Sequence, residues 1–148
     1  MVDIAYKPTS EYKSQFDTPV KKPDLFSVLA LYGKRIIKQT QTQSSTTVTL
    51  YTVPVGKTFF LLSAFIFRSN ESNGLSHNTL GTNQGEVILY WYLEGLAGQV
   101  SHTPATISYS IPIRFQSTEV ITYNTDVAER SSAGIVGYEI ETSLIPFS

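Results

Sequence analysis

A series of short strand-like segments, separated by turn signals, restricts the fold more than any other feature of this chain. Read from residue 34 onward, they are KRIIKQT, TTVTLYTV, KTFFLLSAFIFR, EVILYWYL, ATISYSI, PIRFQ, EVITYNT and SAGIVGYEIET. Aromatic and β-branched residues, which favour extended backbone, are frequent in them. No helical period and no fixed-interval repeat is visible in this part of the chain. We therefore predict an all-β β-sandwich and favour an eight-stranded jelly roll, with an immunoglobulin-like sandwich as the alternative.

The segment TVPVGKTFFLLSAFIF, residues 52–67, contains the GKT of a phosphate-binding loop. Such a loop needs a glycine five positions before the GKT glycine, but that position is Tyr51, and Pro54 lacks an amide donor. The aromatic residues that follow favour a strand over the required helix. We predict a turn at 54–56, a buried strand from Lys57 to Arg68, and no nucleotide or other cofactor. The Asn-, Ser- and Gly-rich stretch 69–85 is predicted to be a polar loop.

The N-terminal part differs from the rest in charge and pattern. Residues 1–38 carry seven Lys or Arg and four Asp or Glu, whereas residues 39–148 carry four and eight. Prolines interrupt the first 23 residues, and Asp24 then precedes LFSVLALY, which fits either a short capped helix or a first strand. We predict an extended N-terminal arm with a possible short helix over 1–33 and a β-sandwich domain over 34–148.

The arm also contains apolar and basic residues at intervals, which a purely disordered tail seldom keeps. Aromatic side chains can anchor an extended segment in a groove, and lysines can lie near acidic groups of a partner. We predict partner binding by Ile4, Tyr6, Tyr12, Phe16, Lys21 and Lys22.

The sequence shows no recognisable catalytic or metal-binding set. There is no Cys, and His77 and His102 lack the spacing of metal ligands. No Ser lies in the sharp strand-to-helix turn of a hydrolase nucleophile. We therefore predict a protein that is not an enzyme and holds no metal.

Glu139 and Glu141 are the one carboxylate pair that resembles glycosidase chemistry. They alternate with Val136, Tyr138 and Ile140 in a strand-like segment. Because strand side chains alternate between two faces, we predict that the three apolar residues face the core and both acids face solvent.

Tyr90, Trp91 and Tyr92 form the cluster with the most credible ligand interpretation. On a strand, Tyr90 and Tyr92 share one face, where they could form a platform for stacking sugars, while Trp91 points to the other face. The alternative is that Trp91 belongs to the core and the tyrosines belong to a protein interface.

Three segments together resemble small β-sandwich or jelly-roll structural proteins of tailed-phage virions. They are VPVGKTF at 53–59, PIRF at 112–115 and GYEI at 137–140, and the resemblance extends over residues 46–142. It implies a capsid cement or decoration protein, or a module of a head fibre or tail, and it implies a trimer. It supplies no catalytic residues.

Taken together, these observations lead us to expect a virion structural protein that binds the major capsid protein or another virion protein. The alternative is a carbohydrate-binding module for host attachment in a fibre or tail. The folded part lacks a basic stripe interleaved with aromatics, so we expect no nucleic-acid binding. The start, MVDIAYKPTSEYK, is too charged for a signal peptide, and no apolar run is long enough to span a membrane. We therefore expect synthesis in the host cytoplasm and localisation in the phage particle.

Overall fold

Eight strands and one short helix make up the part of the chain that the structure, a computed structural model, describes: residues 24–70, 74–95, 101–126, 128 and 130–145. The helix is α1 (Leu25–Tyr32). The strands are β1 (Lys34–Thr42), β2 (Thr46–Thr52), β3 (Lys57–Asn70), β4 (Gly74–Thr82), β5 (Val87–Gly95), β6 (Ser101–Phe115), β7 (Val120–Thr125) and β8 (Ser131–Glu141). A single 3-10 turn, Thr142–Leu144, follows β8. Residues 1–23 of the predicted arm, which include its six partner-binding residues, lie outside the described residues.

The strands form two four-stranded antiparallel sheets. The first sheet has the order β1-β8-β3-β6 and the second has the order β2-β7-β4-β5. Consecutive strands thus pass from one sheet to the other, except β4 and β5, which pair within the second sheet. An eight-stranded double sheet is the jelly-roll architecture, so the predicted fold class is confirmed.

Two predicted boundaries are wrong. One strand was missed and another was predicted as two, so the predicted number of strands is still eight. The stretch 69–85, predicted to be a loop, contains the end of β3 and the whole of β4. The segments ATISYSI and PIRFQ, predicted to be two strands, belong to one strand, β6. The pairing of β6 with β3 jumps from Ser108 to Ile113, which leaves the intervening residues without a partner in β3.

Strand β4 was missed because its composition is polar, although Asn78 and Leu80 are fully buried. Leu80 belongs to the core, and Asn78 is buried because its Oδ1 accepts a hydrogen bond from the Tyr123 hydroxyl at 2.9 Å. A buried polar group with a partner avoids most of the desolvation cost. Hydropathy alone therefore could not identify this strand.

The main core lies between the two sheets and is rich in aromatic rings. Phe59 of β3 lies 5.0 Å from Tyr51 and 6.1 Å from Phe115, measured between ring centroids. Gly137 of β8 lies directly against this group. A Cβ at this position would lie 2.2 Å from the backbone oxygen of Phe60 and 2.6 Å from Phe59 Cζ. Only glycine allows the two strands to approach so closely.

The turn before β3 has the predicted form. The Lys57 amide donates to the Pro54 carbonyl at 3.1 Å, and Gly56 has a φ of 79°. Val55 and Gly56 therefore occupy the central positions of a β-turn whose third residue needs a positive φ. The backbone after Gly56 enters β3 rather than a helix, so it does not form the strand-loop-helix unit of a phosphate loop.

The segment LFSVLALY is a helix, which decides between the two possibilities left open by its sequence. Asp24 caps its N-terminus: Oδ1 accepts from the Ser27 amide at 2.9 Å and Oδ2 accepts from the Ser27 hydroxyl at 3.0 Å. These bonds stabilise the carboxylate, and they hold the pKa of Asp24 below its ordinary value. The position of the boundary between arm and domain remains a prediction.

Candidate functional site

Helix α1 packs on the outer face of the first sheet, the face turned away from the core. Val28 and Leu29 of α1 are buried there in a second apolar cluster. The sheet contributes Phe60 and Ile140, and Ile145 closes the cluster after the 3-10 turn. The molecule therefore has three layers at this end: helix, first sheet and second sheet.

This third layer corrects the predicted orientation of β8. The alternation is as predicted, but Tyr138 and Ile140 pack toward α1 on the outer face. The core between the sheets instead receives Ala133 and Ile135, together with Glu139, which is only 9% exposed. No residue pattern indicated that a helix would bury the other face.

Glu139 and Glu141 have separate partners and different surroundings. Buried Glu139 accepts a hydrogen bond from the Tyr51 hydroxyl across the core, and exposed Glu141 pairs with the Lys57 ammonium. Burial, and then the bond to Glu139, raises the pKa of Tyr51 well above its ordinary value. The hydrogen bond to Glu141 raises the pKa of Lys57. A glycosidase needs both carboxylates to face one substrate, and this pair does not.

A polar group lies inside the sandwich at the end of β3. Arg68 is buried and lies opposite Ser131 in the β3–β8 pairing. Burial raises the pKa of the nearby Tyr123, while the charge of Arg68 opposes this shift. Because these groups are enclosed, we assign them to the stability of the fold rather than to substrate chemistry. Nothing in the sequence distinguished Arg68 from a strand-end residue in solvent.

Tyr90, one of the two tyrosines of the predicted sugar platform, lies on the outer face of the second sheet. Tyr90 is 52% exposed, and its ring stacks with that of His77 at a centroid distance of 6.1 Å. His77 was expected in a loop but lies in β4, where its Nδ1 is 3.2 Å from Oδ2 of Asp126. The backbone of Tyr92 lies opposite that of His77, and the side chain of Tyr92 lies outside what is described.

Polar side chains surround Tyr90 on this face. Thr79 lies beside it in the strand pairing, and Asn124 lies beside Thr79 on the next strand. The Asn124 amide donates to the Thr47 hydroxyl at 2.6 Å. The described residues of this face therefore offer the exposed ring of Tyr90 among hydroxyl and amide groups.

Helix α1 leaves much of its apolar surface exposed. Phe26 is 55% exposed, Leu31 74% and Tyr32 62%. Seven of the eight residues in LFSVLALY are apolar or aromatic, yet only Val28 and Leu29 are buried. A helix that is apolar on all sides is normally covered on all sides, and exposed apolar patches mark binding surfaces.

The outer face of the first sheet also contains two depressions. The smaller, of about 230 Å³, lies beside the helix and is lined by Phe26, Leu29, Ala30, Leu62 and Tyr138. The larger, of about 330 Å³, lies further along the sheet and is lined by Gln39, Thr40, Gln41, Phe65, Phe67 and Ser132. We call the second one the sheet groove. The only sequence signal for it is that the segment 57–68 is apolar on both faces.

Two features are absent from the described residues. No group of three or more His, Cys, Asp or Glu side chains there could hold a metal ion. No helix there is long and apolar enough to cross a membrane.

Comparisons with known proteins give only distant likenesses. No protein-family model matches the chain. No curated protein matches it in sequence. Among solved structures, a protein of the virus-like particle of Macrobrachium rosenbergii extra small virus is 16% identical, with a TM-score of 0.38, over 72% of this chain and 79% of the other.

Two further structures have comparable scores. A pentameric capsid protein from metagenomic phage sequences is 13% identical, with a TM-score of 0.34, over 90% of this chain and 92% of the other. A Bacillus endospore appendage protein is 8% identical, with a TM-score of 0.38, over 74% of this chain and 89% of the other. At these scores, the likenesses do not indicate what this chain binds.

Proposed function

We propose that this protein is a structural component of a phage virion, a cement or decoration protein that binds the capsid surface and associates with copies of itself. The observation that carries the proposal is the exposed apolar surface of α1, to which Phe26, Leu31 and Tyr32 contribute. An apolar helix held on the surface by only two buried residues is an arrangement that a partner completes.

The size of the effect supports an interface. Covering a large apolar side chain contributes about 1.5–3 kcal/mol when it goes from full exposure to full burial. Phe26, Leu31 and Tyr32 each keep more than half of that surface in solvent. Three such residues exposed on one short helix are suited to a protein interface, where aromatic residues are enriched.

The composition of the chain supports a second attachment element. The arm carries Lys and aromatic residues, whereas residues 39–148 carry an excess of acids. We propose that the arm binds the major capsid protein or another virion protein, and that the assembled form is a trimer. Added salt should weaken this attachment only in part, because the aromatic contribution is not screened.

The described acidic and basic groups support a protein without catalytic activity. Glu139 and Glu141 are engaged with Tyr51 and Lys57, and His77 with Asp126. Each pair joins neighbouring strands or opposite sheets. We assign these pairs to the fold.

The proposal is tested by making exposed apolar positions of α1 polar. A Leu31→Ser, Tyr32→Ser variant should keep the melting temperature of the parent, because both side chains are exposed, and should lose binding to purified phage particles in co-sedimentation. Val87→Ser on β5 is the matched control, since Val87 is exposed but far from α1 in the sheet order. Equal particle binding by all three proteins would refute an interface at α1.

A second candidate function is binding of host carbohydrate. The exposed Tyr90, stacked on His77 among hydroxyl and amide groups, is the observation in its favour. An exposed ring beside hydrogen-bonding groups is a suitable surface for a sugar. A glycan array should then give a signal that Tyr90→Ala removes. An array without any signal would leave the structural role as the single candidate.

A further inference from the structure

We infer that the N-terminal segment of one copy docks in the sheet groove of a neighbouring copy. The inference rests on the proposed function, because it names where the arm binds within an assembly. Within that proposal, it makes a neighbouring copy the virion protein that the aromatic residues of the arm bind.

The sheet groove has the chemistry of a site for aromatic side chains. Phe65 and Phe67 of β3 form its apolar floor, and both are only partly buried. Its rim is uncharged and comes from Gln39 and Gln41 of β1 and Ser132 of β8. Amide and hydroxyl groups at the rim can bond a tyrosine hydroxyl or a peptide backbone, whereas a lysine would find no acid there.

The size and position of the groove also fit a peptide. A volume of about 330 Å³ is at the lower end for small-molecule sites, so a few side chains fill it. β1 stands at the end of the first sheet in the strand order, directly beside the groove. An extended segment can add to such an edge with backbone hydrogen bonds while its side chains enter the groove.

The arm predicted from the sequence supplies aromatic residues of its own. Tyr6, Tyr12 and Phe16 precede the helix that already lies on this same sheet face. The groove and the aromatic segment therefore complement each other in chemistry. The remaining question is whether a copy uses its own arm or that of a neighbour.

A fully extended arm is long enough to reach a neighbouring copy. Along β8, Tyr138 beneath α1 is six positions from Ser132 at the groove, which is about 20 Å at roughly 3.3 Å per residue. Phe16 is eight positions before Asp24, so an extended segment places it about 26 Å away, and Tyr12 about 40 Å away. An extended arm can therefore carry both aromatic residues past the copy's own groove and onto a neighbour. The stretch that would lie over the copy's own groove, near Pro19, has no aromatic residue.

Disulfide cross-linking tests this directly, because the chain contains no cysteine of its own. One protein carries Gln15→Cys, next to Phe16, and a second carries Gln39→Cys at the groove rim. After mixing and mild oxidation, we expect the mixed disulfide dimer at several-fold higher yield than with Thr49→Cys as partner. Thr49 is the matched control, since it is exposed on the outer face of the second sheet.

Three outcomes would overturn the inference. One is equal yield with the Gln39 and Thr49 partners. Another is that a chain with both Gln15→Cys and Gln39→Cys closes within itself at every protein concentration. The third is an absence of cross-linking at concentrations where the protein is assembled.

A charge substitution gives a second readout that does not depend on cysteine. Gln39→Glu with Gln41→Glu places two charges at the groove rim, both at exposed positions. We expect the variant to melt like the parent but to sediment as a smaller species, whereas Thr47→Glu with Thr49→Glu should sediment like the parent. An unchanged sedimentation coefficient in the groove variant would contradict docking there. Because both experiments use isolated protein, loss of capsid binding with intact cross-linking would refute the proposed function and leave this inference standing.

Discussion

The hydrogen bond between Tyr51 and Glu139 is the contact whose removal should be most informative about the core. Tyr51 belongs to the second sheet and Glu139 to the first, and both are buried. Tyr51→Phe removes the hydroxyl and leaves a buried carboxylate without this donor. A hydrogen bond to a charged group contributes about 1.5–3 kcal/mol, and an unsatisfied buried group costs a similar amount. We therefore expect a loss of about 2–3 kcal/mol in the free energy of unfolding.

The assay is urea unfolding at pH 7 with a double-mutant cycle. Glu139→Gln keeps an acceptor for Tyr51, so it should cost less than Tyr51→Phe. The two substitutions together should cost less than the sum of the single losses, because both act on the same bond. A loss below about 0.5 kcal/mol for Tyr51→Phe, with additive behaviour in the cycle, would show that the bond contributes nothing and that our account of this end of the core is wrong.

The same contact sets a pH dependence. The folded-state pKa of Tyr51 is raised, so the protonated phenol is favoured in the native state. The unfolded chain loses its proton near pH 10, which is the ordinary pKa of tyrosine. The stabilisation is therefore complete below that pH and is lost as the pH rises above it. Tyr109 and Tyr123 have raised pKa values through burial and add to the loss. Tyr51→Phe should reduce the alkaline slope, and an identical slope would contradict the assignment.

Three further predictions concern single positions. Gly137→Ala should cost roughly 3 kcal/mol or more in urea unfolding, because its Cβ would lie 2.2 Å from a backbone oxygen, and a loss near zero would mean that the strands separate easily. Lys57→Ala should lower the melting temperature only slightly, since the ion pair with Glu141 is partly exposed. ATP should not raise the melting temperature of the parent protein. A rise with ATP would restore the phosphate-loop interpretation of GKT. Trp91→Ala should cost about 3–5 kcal/mol if Trp91 is in the core, and a loss near zero would favour the sugar platform instead.

Much of the fold was predictable because local signals agreed with one another. The turn at Gly56, the long strand after it and the alternation in β8 follow from residue types that leave few choices. Two sheets were predictable from the number of segments. The order of strands within them was not, because it depends on which distant segments pair.

The errors arose where tertiary contacts reverse a local preference. Asn78 is polar, but the Tyr123 hydroxyl makes its burial favourable, so a strand resembled a loop. Glu139 is charged, but Tyr51 reaches it across the sandwich, so an acid predicted to face solvent lies in the core. In both cases the deciding partner is more than forty residues away in the sequence.

The surface on which the functional proposal rests was the least predictable part. LFSVLALY could be identified as an apolar segment, but its exposure depends on how much of it the first sheet covers. The sheet groove combines residues of β1, β3 and β8, which only the strand order brings together. The predicted residues of the arm remain predictions.

The central claim, a structural role in a phage particle, is tested most directly by deleting residues 1–23 and measuring binding to purified particles. The described strands form a complete sandwich without these residues. The truncated protein should therefore remain folded and soluble, with nearly the melting temperature of the intact chain. Its occupancy on particles, measured by co-sedimentation, should fall sharply, and added salt should weaken binding of the intact protein only in part. Full occupancy by the truncated protein would contradict attachment through the arm, and an absence of particle binding by the intact protein would contradict the structural role itself.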